Sequence, residues 1–185
     1  MIKLYHGTDT RFEIVDLQHC KSHKDFGNGF YLTSDYNQAK SWAMEVAENS
    51  GQTVGYTNMY KIDPERFKDF KVHKFNGASR TWLKYIISNR FDVDDESFSD
   101  ISKCDIVIGK VADARANIII ASAIREYSLR KCLQDTNIQD QLIIALKPER
   151  LCDQYCFKTQ NSLSLLNTFD ADGHPDVSIK EIKRK

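Results

Sequence analysis

The sequence predicts one α+β domain in which strands and helices alternate along most of the chain. Short apolar and β-branched runs, bounded by glycine or polar residues, recur between segments whose apolar residues have helical spacing. The 185 residues include 41% apolar and 28% charged residues, which is typical of a globular chain of one-domain size. We expect residues 1–169 to form this domain and residues 170–185, which are mostly polar, to form a C-terminal tail.

Five segments have strand character and five have helix character. The predicted strands cover residues 2–6, 29–33, 54–62, 104–110 and 155–157. The predicted helices cover about residues 36–47, 80–89, 113 or 117 to 127, 129–145 and 160–167. Asp35 or Ser34 is the expected N-cap of the first helix, Ser79 of the second, and Asp113 or Asn117 of the third.

The charge balance argues against a strongly basic nucleic-acid-binding domain. Lys and Arg total 26, as do Asp and Glu, so the net charge is zero. A basic strip at residues 61–74 is interpreted as a solvated surface, with a local basic binding face as the alternative. Residues 92–100 are acidic and are interpreted as a mobile loop, with a docking surface for a basic partner as the alternative.

The sequence also argues against a membrane or secreted protein. The longest nearly apolar run, residues 118–124, is too short to span a bilayer, and no signal region follows Met1. The five cysteines are odd in number and widely spaced, so reduced thiols in a cytoplasmic protein are expected. Neither Cys20 with His23 nor Cys152 with Cys156 has further ligands at zinc-site spacing, so no metal is predicted.

Two short motifs combine glycine with polar or aromatic residues. Residues 4–8 read LYHGT and end an early strand with His6, Gly7 and Thr8. Gly7 has no Cβ, so a ligand is expected to approach the main chain there. Residues 25–33 read DFGNGFYLT and place Tyr31 directly after a glycine turn. Taken singly, a structural histidine, a hairpin turn and a core tyrosine are the simpler readings.

Together the motifs resemble the first two signature regions of the ADP-ribosyltransferases of the diphtheria-toxin and poly(ADP-ribose) polymerase type. The resemblance lies in His6-Gly7-Thr8, in Gly27-x-Gly29-Phe-Tyr31 and in Trp42. The stretch DFGNGFYLTSDYNQAKSWA is most similar to a small bacterial branch of that superfamily, and residues 153–159 resemble its final signature. The resemblance implies a split mixed β-sheet, with surrounding helices around an NAD cleft.

The resemblance also implies roles for individual residues. His6 would bind a ribose hydroxyl on the adenosine side of NAD, with Gly7 and Thr8 near the nicotinamide carboxamide. Gly29 belongs to the glycine turn before Tyr31, whose ring would stack on the nicotinamide. Trp42 would supply a second ring, and cation–π attraction would favour the cationic nicotinamide of NAD over the neutral leaving group.

The third signature departs from the usual pattern. Gln154 stands where the family commonly has a glutamate that holds the nicotinamide ribose and stabilises the developing oxocarbenium ion. A glutamine accepts a hydrogen bond but carries no charge. Asp153 or Glu149 could replace that charge, although Asp153 should face away if Gln154 faces the cleft. Substitution of Gln154 by glutamate is accordingly expected to raise the rate of NAD cleavage.

The resemblance therefore predicts an NAD-dependent ADP-ribosyltransferase with His6, Tyr31 and Gln154 as catalytic residues. Its acceptor would be a protein, a nucleic acid or a small molecule, and family analogy implies a bacterial toxin or effector with an antitoxin partner. Three alternatives stay open: an NAD glycohydrolase, a non-catalytic NAD or ADP-ribose binding module, and an interaction protein with a relic cleft.

Overall fold

The structure is a computed structural model, and it describes residues 1–10, 12, 14–20, 22–112, 114–167 and 180–183. Seven strands form one mixed sheet: β1 (Ile2–Thr8), β2 (Phe30–Thr33), β3 (Val54–Ile62), β4 (Val72–Lys74), β5 (Ile106–Lys110), β6 (Asp153–Phe157) and β7 (Lys180–Lys183). Their order is β4-β5-β6-β2-β1-β3-β7, and every neighbouring pair is antiparallel except β4 with β5. The predicted α+β class is confirmed at this level.

In the described part of the chain six α-helices accompany the sheet: α1 (Tyr36–Asn49), α2 (Arg80–Arg90), α3 (Ser99–Ser102), α4 (Ala114–Tyr127), α5 (Leu129–Gln134) and α6 (Thr136–Leu146). Short 3₁₀ segments cover Leu17–His19, Pro64–Asp69, Glu96–Phe98, Pro148–Arg150 and Ser162–Asn167. Asp35 caps α1 by accepting hydrogen bonds from the backbone N–H groups of residues 37 and 38, as predicted. Ser79 caps α2 in the same way through the N–H of residue 82.

Several predicted boundaries are corrected by the structure. The helix expected at 129–145 is two helices, because Asp135 has an extended backbone and caps α6. Asn117 lies inside α4 and is not its cap, while Asp113 lies outside the described residues. The acidic segment 92–100 contains a 3₁₀ turn capped by Asp95 and the start of α3, and Phe98 in it is buried, so it is not simply a loop. Of the predicted tail, residues 180–183 form β7 at the edge of the sheet, and 168–179 lie outside the described residues.

The two faces of the sheet are covered by different apolar clusters. On one face, Val107 and Cys156 of the strands pack with residues of α2, α4, α5 and α6. On the other, Leu4, Leu32 and Phe157 pack with the 3₁₀ segment Ser162–Asn167. Side chains along a strand point alternately to the two faces of the sheet. The cluster that a strand residue contacts therefore shows which face it lies on.

Helix α1 lies unusually close to β1 and β3. A Cβ on Gly7 would lie 2.1 Å from the carbonyl oxygen of Ala39, and one on Gly55 would lie 2.4 Å from that of Ala43. The helix presents three buried alanines to the strands, at residues 39, 43 and 47. Both glycines are therefore needed for the main chains to meet at this distance.

Candidate functional site

The sheet order brings the three sequence signatures onto three neighbouring strands. His6 lies on β1, Tyr31 on β2 and Gln154 on β6, and β2 is hydrogen-bonded to both other strands. Within the described residues, β1 and β2 pair at a single position, Tyr5 opposite Thr33. On its other edge β1 pairs with β3 over its whole length, Ile2–Thr8, and β2 pairs with β6 over Phe30–Thr33. The strands thus part at the point where His6 and Tyr31 lie.

His6 bridges this separation through its ring. Its Nδ1 lies 2.8 Å from the backbone carbonyl oxygen of Tyr31, and a carbonyl only accepts, so Nδ1 carries the hydrogen. Burial lowers the pKa of His6 to about 4, against a smaller raising effect of that hydrogen bond. The ring is therefore neutral near pH 7, and its Nε2 is a hydrogen-bond acceptor. This is the atom that the proposed ribose contact requires.

Tyr31 uses its hydroxyl to hold the glycine turn. The hydroxyl donates to the carbonyl oxygen of Gly27 at 2.7 Å and accepts from the N–H of Phe26 at 2.9 Å. Its ring stacks on that of Phe26 with centroids 6.5 Å apart, and burial raises the pKa of the phenol well above its ordinary value. Gly27 has a φ of +83°, and a Cβ on Gly29 would lie 2.5 Å from Sγ of Cys156. The turn is therefore closely fitted to β6.

The other residues of the first two signatures have structural neighbours. The space beside Gly7 is occupied by α1, so its missing side chain accommodates a helix, contrary to the expected open approach on that side. The Thr8 hydroxyl makes a local turn with the backbone of Thr10. Trp42 is 42% exposed, and the ammonium of Lys24 lies 4.9 Å from its ring centre. Stacking of Trp42 on a ligand stays a prediction.

Gln154 has a fixed amide orientation. Its Nε2 lies 2.6 Å from Oδ2 of Asp25 and 3.3 Å from the carbonyl oxygen of Lys110, and both of these atoms are acceptors. The nitrogen must therefore point at them, and Oε1 is the atom of this side chain that can accept a hydrogen bond from a ligand. The side chain is buried at 6% exposure.

Asp25 brings a buried carboxylate to Gln154, and this residue is not among the site residues predicted from the sequence. Its Oδ1 accepts from the Arg90 guanidinium, and its Oδ2 accepts from the N–H of Ala112 at 3.0 Å as well as from Gln154. Arg90 also donates to the carbonyl oxygen of Ala112 and to Asn117. A carboxylate of the kind that the resemblance implies at position 154 thus lies one hydrogen bond away from Gln154, where it is paired with an arginine.

The two carboxylates weighed as replacements for a catalytic glutamate lie elsewhere. Asp153 pairs with the Lys110 ammonium at 2.9 Å, on the opposite face of β6 from Gln154, as strand alternation predicted. Glu149 is exposed in the 3₁₀ segment Pro148–Arg150. The signal for the carboxylate that does lie there was its position at the head of the glycine turn, since Asp25 begins the DFGNG run.

The structure does not bring all three predicted catalytic side chains to one face. Tyr31 and Gln154 share the face of Cys156, because residue 31 pairs with 156 and residue 33 with 154. His6 lies on the other face, where its ring is 4.4 Å from that of Phe30 and 5.8 Å from that of Phe12, measured between centroids. The link between the two faces is the His6–Tyr31 hydrogen bond across the strand separation.

All five cysteines lie in the described part of the chain and are free thiols. Among the described residues there is no group of three or more His, Cys, Asp or Glu side chains placed to hold a metal ion. The same residues contain no helix with the length and apolar character to cross a membrane.

Comparison with known proteins gives partial matches and one family. The chain is 36% identical over 69 residues to the heme transporter BhuA of Brucella ovis and of Brucella abortus. These matches cover 35% of this chain and only 10% of each transporter. The chain thus matches a small part of the length of these transporters. No solved structure matches the chain. A family model does match residues 2–168, and the chain therefore belongs to the DUF3990 family, whose description is "protein of unknown function".

Proposed function

We propose that this protein is an NAD-dependent ADP-ribosyltransferase. One juxtaposition carries the proposal. Three signatures that resemble those of ADP-ribosyltransferases, spread over 149 residues of sequence from His6 to Gln154, lie on the adjacent strands β1, β2 and β6. His6 and Tyr31 lie where β1 and β2 part, and Gln154 lies on the next strand, opposite Thr33. A site is expected at such a separation because the backbone N–H and C=O groups there are not all used in strand pairing.

The hydrogen-bonding capacity of the site residues is compatible with a ribose-containing substrate. His6 offers a neutral Nε2 and Gln154 offers Oε1, and both atoms accept hydrogen bonds from hydroxyl groups. His6 would hold the adenosine ribose, and Gln154 the 2′-hydroxyl of the nicotinamide ribose. Neither contact needs a metal or a charged side chain.

The reaction would break the bond between the nicotinamide nitrogen and the ribose carbon C1′. The bonding electrons leave with nicotinamide, which becomes neutral, and an acceptor nucleophile forms a new bond to C1′ and loses a proton. Positive charge develops on the ribose in between. Asp25 lies behind Gln154 and polarises its amide through the 2.6 Å hydrogen bond, which makes Oε1 a better acceptor for the 2′-hydroxyl.

The test measures both products of this chemistry. The protein is incubated with NAD labelled in its adenine ring, together with a whole-cell lysate, and nicotinamide release and label on macromolecules are measured. We expect both signals with wild type and at least a tenfold loss in His6→Ala and Gln154→Ala. The matched controls, His19→Ala and Gln52→Ala, remove an exposed histidine and an exposed glutamine and should change neither signal. Absence of nicotinamide release with wild type would refute the proposal.

A non-catalytic NAD or ADP-ribose binding module is the second candidate. The observation in its favour is that Gln154 carries no charge and that Arg90 already neutralises Asp25. In that case NAD binds to wild type and is recovered intact. Nicotinamide release without labelled acceptor would instead identify the glycohydrolase, in which water is the nucleophile. NAD that does not raise the unfolding temperature would favour an interaction protein.

A further inference from the structure

Two consecutive residues of β3 carry most of the unpaired buried polar atoms in the described part of the chain. These atoms are Oγ1 of Thr57 and both Oδ1 and Nδ2 of Asn58, and the remaining one is Oγ of Ser88 in α2. Thr57 and Asn58 are each 1% exposed. They lie directly opposite Gly7 and His6 on β1, so the unpaired atoms border the first signature. Unpaired buried polar groups cost stability, and such groups in folded proteins call for an explanation.

Asn58 and His6 share one face of the sheet. Residues that are directly opposite in an antiparallel pair have Cβ atoms roughly 4.5–5.5 Å apart, so the two side chains are neighbours. Tyr60 follows on the same face, and burial raises its pKa to about 12 against a smaller opposing effect of the Asn58 amide. The Asn58 amide thus lies near the Tyr60 phenol, but neither of its polar atoms has the distance and angle of a hydrogen bond to another protein group, whereas His6 retains Nε2 as an acceptor.

The chemistry of this pair selects a class of ligand. His6 supplies a neutral acceptor, and Asn58 supplies one donor and one acceptor, so a phosphate would find no cation here. The aromatic rings of Phe12 and Phe30 border the histidine. Two adjacent hydroxyl groups, each of which donates and accepts, complement this set of atoms. Apolar ring carbons suit the aromatic surroundings.

We propose that His6 and Asn58 together bind the vicinal diol of the adenosine ribose, with Asn58 as a binding residue that the family resemblance does not supply. The inference rests on the proposed use of NAD. One hydroxyl donates to Nε2 of His6, while the other donates to Oδ1 and accepts from Nδ2 of Asn58. The ring of Phe12 stands edge-on to that of His6, and we expect the bound ribose to displace it.

The test separates ligand binding from folding. Asn58→Leu replaces the unpaired amide by an apolar side chain of similar size, so the free protein should unfold at the same or a higher temperature. The same variant should bind ADP-ribose at least tenfold more weakly by calorimetry. The matched control is Thr57→Val, which removes the neighbouring unpaired hydroxyl on the opposite face and should leave the affinity unchanged. If Asn58→Leu fails to fold, the smaller Asn58→Ser carries the binding measurement.

Deoxynucleotides test the diol itself. Wild type should bind 2′-deoxy-ADP and 3′-deoxy-ADP at least fivefold more weakly than ADP, and Asn58→Leu should lose most of one of these two differences. Equal binding of all three nucleotides by wild type would overturn the inference, as would unchanged ADP-ribose affinity in the folded Asn58 variants. If both Asn58 variants unfold at a clearly lower temperature but bind ADP-ribose as wild type does, the amide stabilises the fold and does not bind the ligand.

The outcomes distinguish this inference from the proposed function. If wild type releases nicotinamide from NAD and the Asn58 variants bind ADP-ribose as wild type does, the inference falls and the proposed function stands. If the variants lose ADP-ribose affinity but wild type releases no nicotinamide, the diol site stands and the transferase proposal falls. If wild type binds none of these nucleotides, the inference falls.

Discussion

Replacement of Gln154 by glutamate is the sharpest test of the buried network. The sequence alone predicts that Gln154→Glu raises the rate of NAD cleavage, because it restores the usual charge. In the structure, however, the new carboxylate would meet Oδ2 of Asp25, which now lies 2.6 Å from the amide nitrogen. Two carboxylates in contact do not both stay ionised. The variant must bind a proton or force the two groups apart.

The cost of each route follows from the geometry. Protonating a glutamate of ordinary pKa 4.3 costs about 3.7 kcal/mol at pH 7 and about 1 kcal/mol at pH 5. Keeping two negative charges about 4 Å apart costs about 4 kcal/mol at an effective dielectric of 20. The folded-state pKa of this glutamate is therefore raised above its unfolded value. Its destabilising effect is absent well below pH 4.3 and grows as the pH rises.

The measurement is urea unfolding followed by circular dichroism at pH 5, 6 and 7, with wild type at each pH as reference. Gln154→Met is the control, because it keeps the size of the side chain but donates nothing. It should cost about 1.5–3 kcal/mol, the value of a hydrogen bond to a charged group, at every pH in this range. Gln154→Glu should lose about 2.7 kcal/mol more at pH 7 than at pH 5. An equal cost at both values would refute the Asp25–Gln154 contact.

The remaining predictions concern the first two signatures. Because the pKa of His6 is lowered to about 4, the unfolded chain takes up a proton there between pH 6.5 and 4, while the folded chain does not. The free energy of unfolding of wild type should therefore fall by about 2–3 kcal/mol over this range. His6→Gln should lose correspondingly less in the same urea titration. Gly7→Ala should lower the free energy of unfolding by about 3 kcal/mol or more, since its Cβ meets the backbone of α1. Gly51→Ala, where the new Cβ has open space but φ is +71°, should lower it by only about 1 kcal/mol. NAD should quench the fluorescence of exposed Trp42, and an unchanged quench in Trp42→Phe would exclude this ring from the site. Trp82→Phe is measured in parallel, because the Trp82 Nε1 donates to the same carbonyl of Lys110 as Gln154 does.

The regular elements were predictable where one face of the segment is strongly apolar or where a cap is local. Val54–Ile62 coincides with the predicted strand, and α2 extends one residue beyond its predicted end. Strand β4, by contrast, has only three residues, two of them His73 and Lys74, and it depends on its parallel partner β5. No local pattern marks such a strand, because its hydrogen bonds come from residues more than thirty positions away.

The candidate site was predictable in its motifs and not in its connections. Periodicity could place Tyr31 next to a glycine turn, but it could not show that the Tyr31 hydroxyl closes that turn or that Asp25 reaches Gln154. The first is a contact between residues four positions apart, which periodicity does not report. The second depends on the strand order, which a single sequence does not determine. Asn58 was missed for a different reason: a polar residue inside a predicted strand is ordinarily assigned to the solvent face, and here that face is covered.

The strand order also dictates when this molecule can be completed during its synthesis. Strands β1 and β3 can pair once Ile62 has emerged, but β2 lies between β1 and β6, and β6 begins at Asp153. Chains are made at about 5–20 residues per second, so the centre of the sheet waits several seconds for its last strand. Asp25 is separated from Gln154 by 129 positions. A nascent chain that is stalled before residue 153 therefore holds the first two signatures without the third, and the three signatures come together only after β6 has been made.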